Sequence, residues 1–181
     1  MATPRVGGFI AVLDDLDSLV SAKPWLPDLD GDDAQVVPLA MAAEPDGPQF
    51  LVINGTAGGE TLIGTGSDDT ISGLDGNDTL RGGGGDDILD GGDGIDTADY
   101  TDATSGVSAQ LNDAINTSGG DVGSDTLLNI ENLTGSDFND LLIGSDGANV
   151  LTGGLGADTF YKGAGDIITD FQHGIDTVFI V

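Results

Sequence analysis

A repeat of nine residues, which starts at Gly55, constrains the fold of this chain more than any other feature. Every unit begins with Gly, position 6 is acidic in all but one unit (Asn149), and position 8 is a large apolar residue in all but one (Ala98). A fixed period of this kind means that each unit is a small structural element that stacks on its neighbours. The units, five consecutive and three more from Gly135, read GTAGGETLI, GTGSDDTIS, GLDGNDTLR, GGGGDDILD and GGDGIDTAD, then GSDFNDLLI, GSDGANVLT and GGLGADTFY.

Each unit divides into a tight turn and a short strand. Glycines at positions 1, 2 and 4 of the turn permit positive φ angles that other residues resist. Positions 7 to 9, for example Thr79-Leu80-Arg81, form a strand whose central apolar side chain faces the interior. We therefore predict an all-β fold, a parallel β-roll (a right-handed parallel β-helix) in which two units make one coil. Turns eighteen residues apart then stack along each edge.

Stacked turns bring acidic side chains together. In this arrangement Asp69 lies over Asp87, and Asp78 lies over Asp96, at roughly the 4.8 Å spacing of neighbouring strands. Two carboxylates at that separation repel by roughly 1 kcal/mol in water, and by several-fold more at a protein surface. The chain has too few cations to neutralise them, since 32 acidic residues face 4 Lys and Arg, a net charge of −28. The stack therefore needs cations from solution.

Calcium suits these turns better than other metal ions. Ca²⁺ is a hard cation that takes about six to eight oxygen ligands and accepts carbonyls together with carboxylates. Mg²⁺ demands stricter octahedral geometry and sheds water reluctantly. Zn²⁺ prefers nitrogen or sulfur ligands, and the chain has one His and no Cys. The residues therefore predict several bound calcium ions as the cofactor.

Composition and motifs argue against several classes of function. The negative charge disfavours binding to nucleic acid and to anionic membrane surfaces. No run of about 18 apolar residues is present, so we expect no membrane span. The sequence has no HExxH or GxSxG motif, and His173 is its single histidine. We therefore expect no catalytic residues and no enzyme activity.

The chain outside the repeats divides by composition. Apolar residues at helical spacing between Phe9 and Val20 predict a short amphipathic helix, which either docks on the main body or binds a partner. Prolines between Pro24 and Pro48 predict an extended linker. The predicted segments are the helix at 1–21, the linker at 22–50, the first repeat block at 51–99, an irregular spacer of the same solenoid at 100–134, and the second block with a C-terminal cap or secretion segment at 135–181.

The nonapeptides at 55–99 and 135–161 resemble those of the RTX, or haemolysin-type calcium-binding repeat, family. The spacer between them is similar to segments that join repeat blocks in that family. The resemblance implies that each calcium ion lies between turns two units apart. The earlier turn supplies the carbonyls of positions 2 and 4 and its position-6 carboxylate, and the later turn supplies the carbonyls of positions 1 and 3 and its own carboxylate.

Carried onto this sequence, the resemblance implies four candidate sites. Two of them keep the family pattern, a third contains the longer Glu60, and a fourth contains Phe138 in place of the usual Gly. Asn149 offers one neutral oxygen and weakens any site that it joins. The ligand sets are Thr65, Ser67 and Asp69 with Gly82, Gly84 and Asp87; Leu74, Gly76 and Asp78 with Gly91, Asp93 and Asp96; Thr56, Gly58 and Glu60 with Gly73, Asp75 and Asp78; and Ser136, Phe138 and Asp140 with Gly153, Leu155 and Asp158.

The resemblance also implies a cellular location. Family members leave Gram-negative bacteria through the type I secretion apparatus, unfolded in the calcium-poor cytosol, and fold outside the cell. The N-terminus lacks the long apolar core of a signal peptide, which agrees with that route. The ending from Asp176 to Val181 resembles the acidic-then-apolar C-terminus of the protease branch, and it serves as a secretion signal, a cap on the solenoid or both.

We therefore interpret the chain as a secreted, extracellular calcium-binding protein that acts as a structural or interaction module. The alternative is a carbohydrate-binding accessory, similar to the repeat modules of extracellular polysaccharide-modifying enzymes. That role needs an exposed strip of aromatic or basic side chains, and aromatic residues make up 5% of the chain. The partners that we expect are calcium, the type I secretion apparatus, and an extracellular polysaccharide or another protein.

Overall fold

The structure is a computed structural model that describes residues 50–111, 117–119 and 121–181. The predicted N-terminal helix and nearly all of the predicted linker lie outside these residues. The described part is built of strands and turns, and none of its segments is a helix able to cross a membrane. The strands are β1 Val52–Asn54, β2 Thr61–Ile63, β3 Thr70–Ser72, β4 Asp75–Gly76, β5 Thr79–Arg81, β6 Ile88–Asp90, β7 Asp93–Gly94, β8 Thr97–Asp99, β9 Ser108–Gln110, β10 Thr117–Ser118, β11 Thr126–Leu128, β12 Asn132–Thr134, β13 Leu141–Ile143, β14 Val150–Thr152, β15 Thr159–Lys162, β16 Ile167–Ile168 and β17 Thr177–Ile180.

Three parallel ladders carry the fold. The first has the order β1-β3-β6-β11, the second β2-β5-β8-β12-β14-β16, and the third β9-β13-β15-β17. Within the first block, Val52 pairs with Thr70 and Thr70 pairs with Ile88, a step of eighteen residues at each strand. The predicted all-β solenoid with two units in each coil is therefore confirmed.

The core is a column of position-8 side chains. In β3, for example, Ile71 is fully buried, while Thr70 and Ser72 are only partly covered. This pattern follows from the alternation of side chains along a strand, which sends only the central residue of three inward. The other fully buried strand-centre residues are Leu62, Leu80, Leu89, Ala98, Ala109, Leu133, Leu142, Leu151 and Phe160.

The segment between the repeat blocks adds strands to all three ladders. β11 extends the first ladder next to β6, and β12 extends the second next to β8. β9 pairs with β13 in the third ladder, and β10 turns back to pair antiparallel with β9. The apolar core thus runs through this segment, where Val107 and Val122 are buried. The boundaries of the predicted domain segments remain a prediction.

One expectation about the turn glycines is wrong. Positive φ angles occur at positions 2 and 4, as at Gly83 (φ 97°) and Gly85 (φ 109°), whereas the position-1 glycines do not have them. Position 1 requires Gly for a steric reason instead. A Cβ built on Gly55 would lie 2.5 Å from the carbonyl oxygen of Gly73 and 2.8 Å from Oε2 of Glu60, which is closer than any side chain tolerates.

The buried column yields a prediction about stability. Leu89→Ala removes a fully buried side chain between Ile71 and Leu127, and we expect it to lower the free energy of unfolding by about 2–5 kcal/mol. The neighbouring Ile88, 43% exposed, is the matched control, and Ile88→Ala should change the free energy of unfolding by about 0.5 kcal/mol. Urea denaturation at saturating calcium measures both. Equal losses in the two variants would contradict the assignment of the core.

Candidate metal-binding turns

The position-6 side chains form stacked columns along the edges of the solenoid. The backbone N–H of Asp69 donates to Oδ1 of Asp87 at 2.7 Å, and that of Asp78 donates to Oδ1 of Asp96 at 2.7 Å. All four side chains are at most 2% exposed. A carboxylate buried to this degree is costly unless its oxygens are paired. The stacking that the sequence predicted for these aspartates is therefore present, and it places buried carboxylates close enough to repel one another.

Carbonyl oxygens reach the same columns. A Cβ on Gly64 would lie 2.7 Å from Oδ2 of Asp69 and would also collide with the carbonyl oxygen of Gly82. Gly135 sits in the same way between Oδ2 of Asp140 and the carbonyl oxygen of Gly153. Four position-1 glycines thus separate the carboxylate of their own turn from a carbonyl of the turn eighteen residues later, namely Gly55, Gly64, Gly73 and Gly135. Hard oxygen donors from two turns converge there.

In some turns the protein itself satisfies the position-6 side chain. The N–H and Oγ1 of Thr65 donate to Oδ2 of Asp69 at 2.6 and 2.9 Å. The N–H of Ser136 donates to Oδ2 of Asp140 at 2.7 Å, and its hydroxyl donates to Oδ1 at 2.8 Å. Thr56 and Ser145 bond in the same manner to Glu60 and Asn149. In each of these turns position 2 carries a hydroxyl group.

In the other turns one carboxylate oxygen has no such partner. Oδ2 of Asp78, Asp87, Asp96 and Asp158 is buried and accepts no hydrogen bond from the described residues. Position 2 of these turns is Leu74, Gly83, Gly92 or Gly154, with φ angles of 77°, 97°, 94° and 98°. A leucine in this region of φ is strained, because its Cβ approaches the backbone.

These oxygens fit a hard cation such as Ca²⁺. A buried carboxylate oxygen without a hydrogen bond from the protein needs a proton, a bound water or a metal ion. Within the described ranges, no three His, Asp or Glu side chains converge on one point. A metal ion between two stacked turns would combine their carboxylates with backbone carbonyls and water, a mixed oxygen set that calcium accepts.

The structure brings the predicted ligand residues together in pairs of turns, with one complication. The carbonyls of Thr65 and Leu74 already accept hydrogen bonds from the N–H groups of Gly84 (2.9 Å) and Asp93 (2.7 Å). A carbonyl oxygen has a second lone pair, so these bonds leave it able to bind a metal ion. Phe138 and Leu155 have hydrocarbon side chains without a ligand atom, so these two residues can offer only their carbonyls.

Two sets of turn residues escaped the sequence analysis. Asp and Asn side chains at position 5 form a second row of hydrogen bonds between stacked turns. In this row, Oδ1 of Asp68 accepts the N–H of Asp86, and Oδ1 of Asn77 accepts the N–H of Ile95. The signal was present, since Asp or Asn occupies position 5 in half of the units. In the spacer, Asp125 accepts the N–H of Asp87 at 3.0 Å, as a position-6 residue would. It begins the string DTLL, which matches positions 6 to 9 of the repeat.

Burial raises the pKa values of several of the stacked carboxyl groups. It raises the pKa of Asp87 to about 7, an effect partly offset by the N–H of Asp69 and reinforced by the charge of Asp125. Burial likewise raises the pKa of Asp158 to about 6, with Asp140 adding repulsion. The pKa of Asp78 is also raised, first by burial. In metal-free protein a proton therefore takes part of the role of a cation.

Fold and turns together define a class of protein, a parallel β-solenoid whose stacked acidic turns are suited to calcium. Residues 54–81, 63–98 and 134–166 match the family model whose description reads RTX calcium-binding nonapeptide repeat (4 copies). The matched segments carry RTX calcium-binding nonapeptide repeats, which supports a calcium-binding repeat protein. A search of curated proteins finds no match.

The raised pKa values predict how stability depends on pH without metal. In the folded state the pKa of Asp87 is about 7 and that of Asp158 about 6, whereas the ordinary value is 3.8, so both carboxyl groups bind a proton more tightly in the folded protein than in the unfolded chain. Their contribution to stability is therefore full below about pH 4 and is lost as the pH rises through about 6 to 7. We expect the urea midpoint of metal-free protein to be highest near pH 5 and to fall as the pH rises, until no folded state remains near pH 7.5, and we expect Asp87→Asn to flatten that dependence. A midpoint that rises with pH over this range would contradict the prediction.

Proposed function

We propose that this chain is a calcium-dependent structural or interaction module that is exported unfolded through a type I secretion apparatus and folds outside the cell. The observation that carries the proposal is the set of buried carboxylate oxygens on Asp78, Asp87, Asp96 and Asp158 that accept no hydrogen bond from the described residues. Folding creates these positions, so an ion that occupies them stabilises the folded state by mass action.

The charge balance supports the same proposal. In the part of the chain that the structure describes, the ion pairs are those of Arg81 with Asp99 and Asp102. Neither partner of Arg81 occupies position 6, so no cation of these residues pairs with the stacked columns. With a net charge of −28, the compact state is opposed by its own repulsion. Calcium from solution removes that opposition where it is strongest.

Dependence on calcium also determines where the module folds. A chain that needs calcium to fold stays extended where the ion is scarce, which suits passage through a narrow export channel. Outside the cell, calcium near millimolar concentration fills sites of the affinity that extracellular modules have. The absence of cysteine agrees with a fold that a metal ion, rather than a disulfide, holds together.

Carbohydrate binding is the second candidate, and one observation favours it. Tyr161 and Phe179 stack across neighbouring strands of the third ladder, with ring centroids 4.8 Å apart. Phe179 is exposed and can offer a ring face to a sugar. A glycan array run in the presence of calcium tests this role. Glycan binding that Phe179→Ala abolishes would favour carbohydrate binding, whereas an array without hits would favour the structural or interaction module.

The proposed function predicts a folding transition driven by calcium. We expect far-UV circular dichroism of metal-stripped protein near pH 7.5 to change cooperatively from coil to β structure at about 0.1–1 mM calcium. Magnesium at the same concentrations should produce little change, because it demands a stricter geometry. A spectrum that is already rich in β structure without metal, and that calcium leaves unchanged, would contradict the proposal.

A pair of matched variants tests the ligand assignment. Asp78 belongs to two of the proposed sites and Asp140 to one, and both accept a backbone N–H through Oδ1. Asp78→Asn and Asp140→Asn keep that acceptor and remove the charge. We expect Asp78→Asn to shift the calcium midpoint of folding upward by about tenfold, and Asp140→Asn to shift it by a smaller factor. Equal midpoints in the two titrations would contradict the assignment.

A further inference from the structure

Position 2 of the nonapeptide divides the turns into two kinds. In a closed turn, a Thr or Ser at position 2 donates to the position-6 side chain of the same turn. In an open turn, position 2 is Gly or Leu with a positive φ angle, and Oδ2 of the position-6 aspartate has no partner among the described residues. The closed turns begin at Gly55, Gly64, Gly135 and Gly144, and the open turns begin at Gly73, Gly82, Gly91 and Gly153.

The two kinds follow an order along the chain. Each repeat block begins with two closed turns, which make its first coil, and the open turns come after them. The first coil of each block therefore satisfies its position-6 side chains with its own N–H and hydroxyl groups. The later coils leave a carboxylate oxygen that no donor of the described residues satisfies, and a proton, a bound water or an external cation takes that place.

Pairs of stacked turns differ accordingly. The pairs that begin at Gly55 and Gly73, and at Gly64 and Gly82, each combine a closed turn with an open one. The turns from Gly73 and Gly91 are both open, with free Oδ2 atoms on Asp78 and Asp96. These two turns are also tied by the pairing of β4 with β7, which the other turns lack among the described residues. Their oxygens are thus held in place without a competing hydroxyl.

We infer that the residue at position 2 ranks the calcium sites, so that the first ion binds between the open turns from Gly73 and Gly91. In a closed turn the hydroxyl hydrogen bond stands in for the ion, and calcium must displace it in order to bind. A hydrogen bond to a charged acceptor is strong enough to lower the affinity of such a site by about tenfold. This ranking rests on the proposed function, namely that the turns bind calcium at all.

Thr65→Val tests the closed turns, since it removes the hydroxyl donor to Asp69 and nearly preserves the shape of the side chain. Thr70→Val in the same unit makes the same chemical change on strand β3 and is the matched control. Isothermal titration calorimetry with calcium should show that Thr65→Val strengthens one of the weaker sites by about tenfold. Thr70→Val should leave every site unchanged. A weakened or lost site in Thr65→Val would overturn the inference, because the hydroxyl would then act as a ligand.

Leu74 provides the reciprocal test, because it holds an open turn at a positive φ angle. Leu74→Thr introduces a hydroxyl group and a β-branched side chain that disfavours this φ. The variant should therefore close the turn and lower the affinity for the first calcium ion by about tenfold. Leu74→Gly favours the open turn and should bind the first ion at least as tightly as the unmodified chain does. Equal affinities in these two variants would overturn the inference.

The same titrations separate the inference from the proposed function. If the unmodified chain binds no calcium up to several millimolar, the proposed function itself fails. If it binds calcium but the sites are identical and insensitive to Thr65→Val and Leu74→Thr, the proposed function stands and the ranking is wrong. Circular dichroism at saturating calcium verifies that each variant reaches the β-rich state before its affinities are compared.

Discussion

The constraint on which the rest of the structure depends is the repulsion between carboxylates that the repeat stacks and buries. Within each repeat block the nine-residue period fixes a step of eighteen residues between coils, and this step places one position-6 side chain on the position-6 side chain two units later. The same step stacks the position-8 side chains into one apolar column. The chain cannot obtain the core without the column of charges. Cations or protons are therefore part of the folding equilibrium and not an addition to a finished fold.

The turns meet this constraint in more than one way. Thr65 supplies two donors to Asp69, whereas Asp87 keeps a buried oxygen that none of the described residues satisfies. In the spacer, the hydroxyl of Tyr100 donates to Asp125 at 3.0 Å, which is a further way to satisfy a stacked carboxylate. Protein donors, protons and calcium thus serve the same electrostatic purpose. Under the proposed function, their balance along the chain decides which coils depend on the metal ion.

The repeat made much of the fold predictable, because coil length and core positions depend only on local spacing. The strand centred on Leu80 and the stacking of Asp78 on Asp96 follow from the period alone. The strand pair β9 and β10 does not, since residues 100–134 lack the period and their pairing is set by tertiary contacts. The role of Thr65 was also missed: its carbonyl was assigned as a ligand, but the bond of its hydroxyl to Asp69 depends on turn geometry that the sequence does not specify.

A crystal structure at saturating calcium, with anomalous scattering used to locate the ions, tests most directly whether cations hold the stacked turns together. We expect anomalous peaks between turns eighteen residues apart, with full occupancy between Asp78 and Asp96. Carboxylate and carbonyl oxygens should surround each ion at about 2.3–2.6 Å. Turns without calcium at saturation, with Oδ2 of Asp78 and Asp96 bonded only to water or protein donors, would contradict the claim that cations make this stack of carboxylates possible.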